Sequence, residues 1–337
     1  MTDLELHLLN DFQRDFPLVS APFAKIAASL GASEGEVLDV LANLRQGGAV
    51  SRVGAVFRPH TIGASTLAAL AVPEEKLAEV ARLVSAYPEV NHNYEREHRY
   101  NLWFVAAAPD SEQLNETLRR IEEETGCPVL VLPMLEDFHI DLGFDLGRKV
   151  SGVPGRVRGG HRRKEPAEKT LSAYQPHPAE ADLIAALQNG IPLIPRPYAQ
   201  LGAQSGMDEQ EVLTCLAQLI EQGIIRRLGV VVRHHELGYR ANAMVVWDVP
   251  DSEVSDAGHC LGQFDCVTLC YRRPRRLPEW RYNLFSMIHG RDREEVLGLV
   301  AQLRATCGLE HIAHEVLFSR RRFKQCGARY VAPAVVA

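Results

Sequence analysis

The chain has 337 residues, 46% of them hydrophobic and 24% charged, which suits a globular protein of two to four units and excludes a disordered or fibrous one. A net charge of −6 argues against a general polyanion binder, because neutralising phosphates takes clustered Lys and Arg. The first residues carry neither a basic stretch nor an apolar run, and nowhere do the ~20 apolar residues of a membrane span follow one another, so a cytoplasmic protein is expected.

Residues 1–60 read as a winged helix-turn-helix. Leu4, Leu8, Leu9 and Phe12 recur at helical spacing, and Phe23, Ile26, Ala27 and Leu30 follow before Gly31. Ser33 opens a third amphipathic run carrying Val37, Val40, Leu41 and Leu44, closed by Gly47-Gly48. A strand pair, the wing, is predicted over 49–58. Residues 61–146 then alternate as strands 67–72, 90–97, 100–107 and 129–135, with helices 75–86 and 111–124. That order is a ferredoxin-like layer of helices on one face of a four-stranded sheet.

The segment 147–178 is rich in Gly, Pro and basic residues, with Arg156, Arg158, Arg162, Arg163 and Lys164 close together, and reads as a solvated linker. After it the pattern starts again: helix-turn-helix over 179–235, ferredoxin-like over 236–330. Arg52-Val53-Gly54-Ala55-Val56 returns as Arg227-Leu228-Gly229-Val230-Val231, and Tyr100-Asn101-Leu102 as Tyr282-Asn283-Leu284. The fold expected is therefore an α+β tandem repeat, a pseudo-dimer fused into one chain, with further pairing into a homodimer left open.

The recognition helices offer little to nucleic acid. Glu34, Glu36 and Asp39 in the first copy, and Asp208, Glu209 and Glu211 in the second, would face a polyanion with like charge. No nucleic-acid partner is expected. The seven cysteines are unevenly placed and lack a Cys-x-x-Cys pair, which suggests reduced thiols and no metal site.

The copies part at one segment. His92, Tyr94, Arg96 and His98 alternate along a predicted strand and so share one face, whereas the second copy reads Leu269-Cys270-Tyr271-Arg272-Arg273-Pro274-Arg275. A face holding imidazoles, a phenol and a guanidinium is not hydrophobic core, because buried cations need partners. Imidazoles titrate near neutrality and can move protons or ligate metal. Guanidinium forks beside aromatic rings suit a flat ligand bearing carboxylates. Arg58, Arg99, Tyr100, Trp103, Arg272 and Arg273 are candidates for that duty, and His60, His235 and His289 remain open alternatives.

The string His92-Asn93-Tyr94-Glu95-Arg96-Glu97-His98-Arg99-Tyr100-Asn101-Leu102-Trp103-Phe104, with Cys270-Tyr271-Arg272-Arg273-Pro274-Arg275-Arg276 and Met287-Ile288-His289-Gly290, resembles the NirD-like and NirL-like chains of siroheme decarboxylases, fused here. The wider layout resembles the Lrp/AsnC regulators. The resemblance implies removal of two acetate carboxylates from siroheme, at ring positions 12 and 18, on the way to haem d1 or an alternative haem. It implies neither oxygen nor an organic cofactor, the iron belonging to the substrate. His92 and His98 would then form the acid pair, with Arg58, Tyr94, Arg96, Arg99, Tyr100, Trp103, Arg272 and Arg273 binding the macrocycle. The rival is a ligand-responsive, DNA-binding regulator.

Overall fold

A computed structural model describes residues 1–58, 61–140, 174, 176–232, 241–328 and 330. Most of the predicted linker, together with His60, Arg233 and His235, lies outside them. In chain order the elements are α1 (Asp3–Asn10), α2 (Pro22–Leu30), α3 (Glu34–Gln46), β1 (Val50–Phe57), β2 (Ala64–Leu70), a 3-10 turn, α4 (Leu77–Ala86), β3 (Val90–Arg96), β4 (Leu102–Ala108), α5 (Ser111–Thr125), β5 (Leu130–Leu132) and β6 (Glu136–Ile140). The second copy follows with α6 (Pro178–Gln188), α7 (Pro197–Ser205), α8 (Glu209–Glu221), β7 (Ile225–Val232), β8 (Ala241–Trp247), α9 (Val254–Leu261), β9 (Val267–Arg272), β10 (Leu284–Gly290), α10 (Arg293–Thr306) and β11 (His314–Gln325).

The acidic starts of α3 and α8 are explained by capping. Ser33 and Glu36 close a reciprocal box, as do Asp208 and Glu211, each satisfying amides that a helix start leaves without partners. The predicted wing is different from a hairpin. Each copy contributes one strand, and β1 pairs antiparallel with β7 about the centre Gly54–Gly229. The reason lies in those glycines. A side chain at position 229 would collide with the carbonyl of Gln13, and one at position 54 would press on Gly190. Each loop after the first helix therefore docks on the other copy's strand, sealed by Val230 N–H to Phe12 O at 2.8 Å and Ile191 N–H to Val53 O at 2.6 Å. One apolar core, including Leu8, Phe23, Leu41, Leu183, Tyr198 and Leu216, serves both helix-turn-helix units.

Beyond the wing strands, nine strands among the described residues form one sheet in the order β5-β2-β4-β3-β11-β8-β10-β9-β6. Two features were not expected from sequence. Strand β11 runs to Gln325, its first half pairing with β8 and its second half with β3 of the other copy. Strand β6 is an extra strand that crosses to β9. The copies thus exchange their terminal strands. Because β5 and β6 are consecutive, the outermost strands are joined by residues 133–135 and the sheet rolls back on itself.

Helices cover the outside through two cores, one per copy. The inside is lined from both copies by Leu67, Trp103, Leu132, Met244, Tyr271, Trp280, Phe285 and Leu317. Two of the seven cysteines also depart from expectation. Cys260 and Cys307, 47 residues apart, form a disulfide, because α9 and α10 bring their Cα atoms to 5.9 Å.

Candidate functional site

Strand β3 sets the site. Val90 pairs with Ala106 on the helix-covered side, yet His92 pairs with Val105, which packs on the inner core. The register shift at Asn91 makes this possible, since an extra residue turns the following side chains to the opposite face. After the bulge, Asn93 points to the helices, donating to the Ala81 carbonyl at 3.1 Å. His92, Tyr94 and Arg96 point inward, as their alternation predicts. The second copy repeats the device at Thr268, which places Leu269, Tyr271 and Arg273 inward.

The inward group clusters. His92 stacks on Tyr94 with ring centroids 6.1 Å apart. The Arg96 guanidinium lies 5.7 Å from the Tyr94 ring and donates to the Leu317 carbonyl at 3.1 Å. Arg273 lies 4.5 Å from the Tyr271 ring and donates to the Leu132 carbonyl. Leu317 and Leu132 are equivalent positions of the two copies, because β11 and β5 pair with matching residues of β8 and β2. Each buried arginine therefore clasps the terminal strand of the other copy or its continuation. Burial lowers the Arg96 pKa to about 10, against the favourable effect of Tyr94 and Tyr271, and lowers that of Arg273 too. No salt bridge holds either one among the described residues.

The His92 imidazole makes no hydrogen bond among the described residues. Burial first, and then the charge of Arg52, push its pKa down to about 4, so the ring is neutral at pH 7. Arg52 sits on β1 with its Nη2 donating to the Ala55 carbonyl at 3.1 Å and its Nε buried without a partner. Arg58, at the end of the same strand, likewise has a buried Nε with no partner.

His98 falls elsewhere. The expected strand would have run to residue 97, but β3 ends at Arg96, so His98 occupies the turn and leaves the common face of the other three. Four strand residues already span ~13 Å, so the two histidines are well separated. Nδ1 of His98 accepts the Tyr100 N–H at 2.9 Å, so the proton of the neutral ring is on Nε2, which lies 3.2 Å from Glu315. Glu315 also accepts the Tyr282 hydroxyl at 2.5 Å. Burial lowers the His98 pKa, opposed by Glu315 and reinforced by Arg99. Around the ring pack Tyr100 and Trp280, the latter edge-on at 5.5 Å.

The remaining candidates divide. Trp103 is fully buried, its indole N–H donating to the Tyr100 carbonyl at 2.6 Å, and it packs edge-on against Trp280. Arg99 is exposed over the Tyr100 ring and bonded to Glu279. Arg272 lies 3.5 Å from Asp251. The basic run that follows it is largely neutralised, Arg275 by Asp248 and Asp251, Arg281 by Asp248. His289 contacts Thr268 at 3.1 Å. The structure thus gathers His92, Tyr94 and Arg96 with Tyr271 and Arg273, groups His98 with Tyr100 and Trp103, and sets Arg272 apart. Sequence reasoning missed Arg52 and Glu315. The first was visible as a basic residue kept in both copies of the wing motif; the second carried no signal, being 217 residues from its partner.

Known proteins match this arrangement. The AsnC-like ligand binding domain matches residues 62–139 and 236–324, and the siroheme decarboxylase NirDL-like HTH domain matches residues 5–50 and 180–226. The siroheme decarboxylase NirDL subunit of Paracoccus denitrificans (strain Pd 1222) is 46% identical over 329 residues, 97% of each chain. The siroheme decarboxylase of Hydrogenobacter thermophilus is 34% identical over 96% of this chain and 93% of its own. A crystal structure of the siroheme decarboxylase NirDL in co-complex with an iron-uroporphyrin III analogue has a TM-score of 0.68 and 31% identity, covering 97% of this chain and 93% of that chain. With both copies matched and identity sustained along nearly the whole length, the chain belongs to the siroheme decarboxylase family.

Proposed function

We propose that this chain is a carboxy-lyase that converts siroheme to its 12,18-didecarboxy product, a step toward haem d1 or a related haem. What carries the reading is the inward-facing His92, set among buried arginines that have no carboxylate partner among the described residues, in a chain whose relatives are siroheme decarboxylases. Siroheme is flat, aromatic and carboxylate-rich, and unpaired guanidinium groups beside aromatic rings complement it. Arg58, Tyr94, Arg96 and Arg273 serve as its contacts around His92; Arg99, Tyr100, Trp103 and Arg272 act nearer His98 or support the walls.

In each decarboxylation the bond between the acetate methylene and its carboxylate breaks. Carbon dioxide leaves, and the electron pair stays on the methylene carbon, spread into the macrocycle. A proton then forms the new C–H bond, so each event consumes one proton. His92 and His98 are the proposed acids, worth roughly 10²–10⁴ in rate for positioned proton transfer. His92 is neutral in the free protein and gains its proton when substrate carboxylates arrive and offset the arginine charges. No oxygen and no organic cofactor is required, and the iron arrives with the substrate.

Anaerobic incubation of the purified protein with siroheme, followed by mass spectrometry, tests this. The product is expected to be lighter by two carbon dioxide molecules; siroheme that binds, with a shifted Soret band, but keeps its mass would leave a carrier protein and end the proposal. A salt-sensitive gel shift with DNA would favour the regulator reading, which the acid-capped recognition helices oppose.

A further inference from the structure

Arg52 is the wing-strand arginine whose charge acts on His92. Its guanidinium is enclosed, with Nε facing no acceptor, and among the described residues no carboxylate pairs with it. Two glycines make room for it. A Cβ at Gly190 would stand 3.1 Å from the Arg52 Cβ, and one at Gly327 would stand 3.3 Å from the Arg52 Cζ. Gly327 follows Cys326, whose N–H bonds the Asn91 carbonyl at 2.9 Å, and Asn91 is the bulge residue that turns His92 inward. The chain at 326–327 therefore lies with one residue on the bulge and the next on the guanidinium. A buried guanidinium with an idle N–H is costly unless something anionic completes it.

We propose that Arg52 anchors a carboxylate of the substrate and holds the acetate that is to be lost against His92. This deepens the decarboxylase reading above and rests on it. In the free protein burial first, and then the Arg52 charge, keep His92 unprotonated; a carboxylate seated on Arg52 offsets the second effect and adds an attraction, so binding raises the tendency of the acid to take up its proton. Among the described residues His92 meets Arg52 from β1, Tyr94 on its own strand and Gln325 opposite on β11, while Cys326 and Tyr330 from the segment beyond act on Arg52. Lys324, the neighbouring cation, is turned to the carbonyls of Ser85 and Tyr87. The reaction stays balanced as written above, with the proton from His92 going to the methylene carbon and Arg52 exchanging nothing.

The test uses the full chain and siroheme as the probe, with two readouts. The siroheme dissociation constant comes from Soret titration, and the His92 titration midpoint comes from imidazole NMR of the siroheme-free protein, assigned with H92N. For Arg52→Gln, affinity is expected to fall roughly 10- to 100-fold, as loss of hydrogen bonds to a charged group implies. The His92 midpoint is expected to rise. Arg52→Lys keeps the charge without the fork, so it should leave the midpoint low and still weaken binding. Unchanged affinity in Arg52→Gln overturns the anchor, and an unmoved midpoint overturns its link to His92. If that variant fails to fold, wild-type affinity in Arg52→Lys overturns it instead. Neither readout needs turnover, so a wild-type protein that binds siroheme without releasing carbon dioxide would end the decarboxylase reading while these values still judge Arg52.

Discussion

One strand position holds His92 in the first copy and Leu269 in the second, with the tyrosine and arginine after it kept in both. The imidazole is the asymmetric element, and two consequences follow. His92→Ala should bind siroheme within a few-fold of the wild type and lose roughly 10²–10⁴ in decarboxylation rate, read by product mass over time. His98→Ala should also lose turnover, but it should lower the thermal midpoint as well, since it removes the tie between the first copy's turn and Glu315 of the second. The sign of the pH dependence is fixed by the depressed His92 pKa. Above the unfolded value of about 6.5 the group costs nothing; between there and about 4 the unfolded chain takes up a proton that the folded one refuses, so stability falls as pH falls, by roughly 3 kcal/mol at most. Denaturation midpoints of the wild type and His92→Asn, compared at pH 7.5 and 5, should show a larger acid loss in the former, the remainder coming from His98 and His314, whose pKa values burial also lowers. The alternation of His92, Tyr94 and Arg96 was readable in the sequence, because strand period alone decides the face. The place of His98 was not, because a turn begins one residue after Arg96, and Glu315 reaches it from a strand distant in the chain.

At the scale of elements, the repeated Arg-x-Gly of the wing was plain in the sequence, but its meaning was not. A hairpin wing is satisfied locally, whereas these strands pair between copies, and periodicity cannot name a strand's partner. Gly229 marks the place where the other copy's backbone rests. Gly229→Val should therefore cost more than an ordinary surface change, roughly 2 kcal/mol or more, and lower the urea midpoint, while Gly31→Ala, with open space around it, should be limited by its positive φ alone. The bulges at Asn91 and Thr268 were equally hidden, since one extra residue in a strand leaves no compositional trace. Trp280 lies where the second copy is longer, Arg273 to Tyr282 matching Arg96 to Tyr100 of the first, and it is buried at the junction of Trp103, Tyr282 and Phe285. Trp280→Ala should cost about 3–5 kcal/mol, measurable in the same unfolding experiment.

For the whole molecule, the tandem architecture was legible because each copy shows the same run of helices and strands twice. The exchange of terminal strands was not, since β6 and the second half of β11 look like ordinary loop-edge sequence. Their effect is that neither copy holds a complete inner face. Expressed separately as residues 1–146 and 179–337, the halves should each unfold at lower denaturant or self-associate. Mixed, they should form a heterodimer seen by sedimentation and regain decarboxylation; two stable, monomeric halves would contradict the shared cores. The Cys260–Cys307 link lies on the outer helices of the second copy.

The clasps at Leu132 and Leu317 have an effect of another kind. A rolled sheet still has seams, where backbone groups of the terminal strands face no neighbouring strand, and such rims are where proteins recruit one another into fibrils. Here a guanidinium sits over the carbonyl on either seam, and β5 is only three residues long. The same arginines that border the interior thus guard the rims, and the concentrated protein is expected to resist the ordered aggregation to which unguarded sheets succumb.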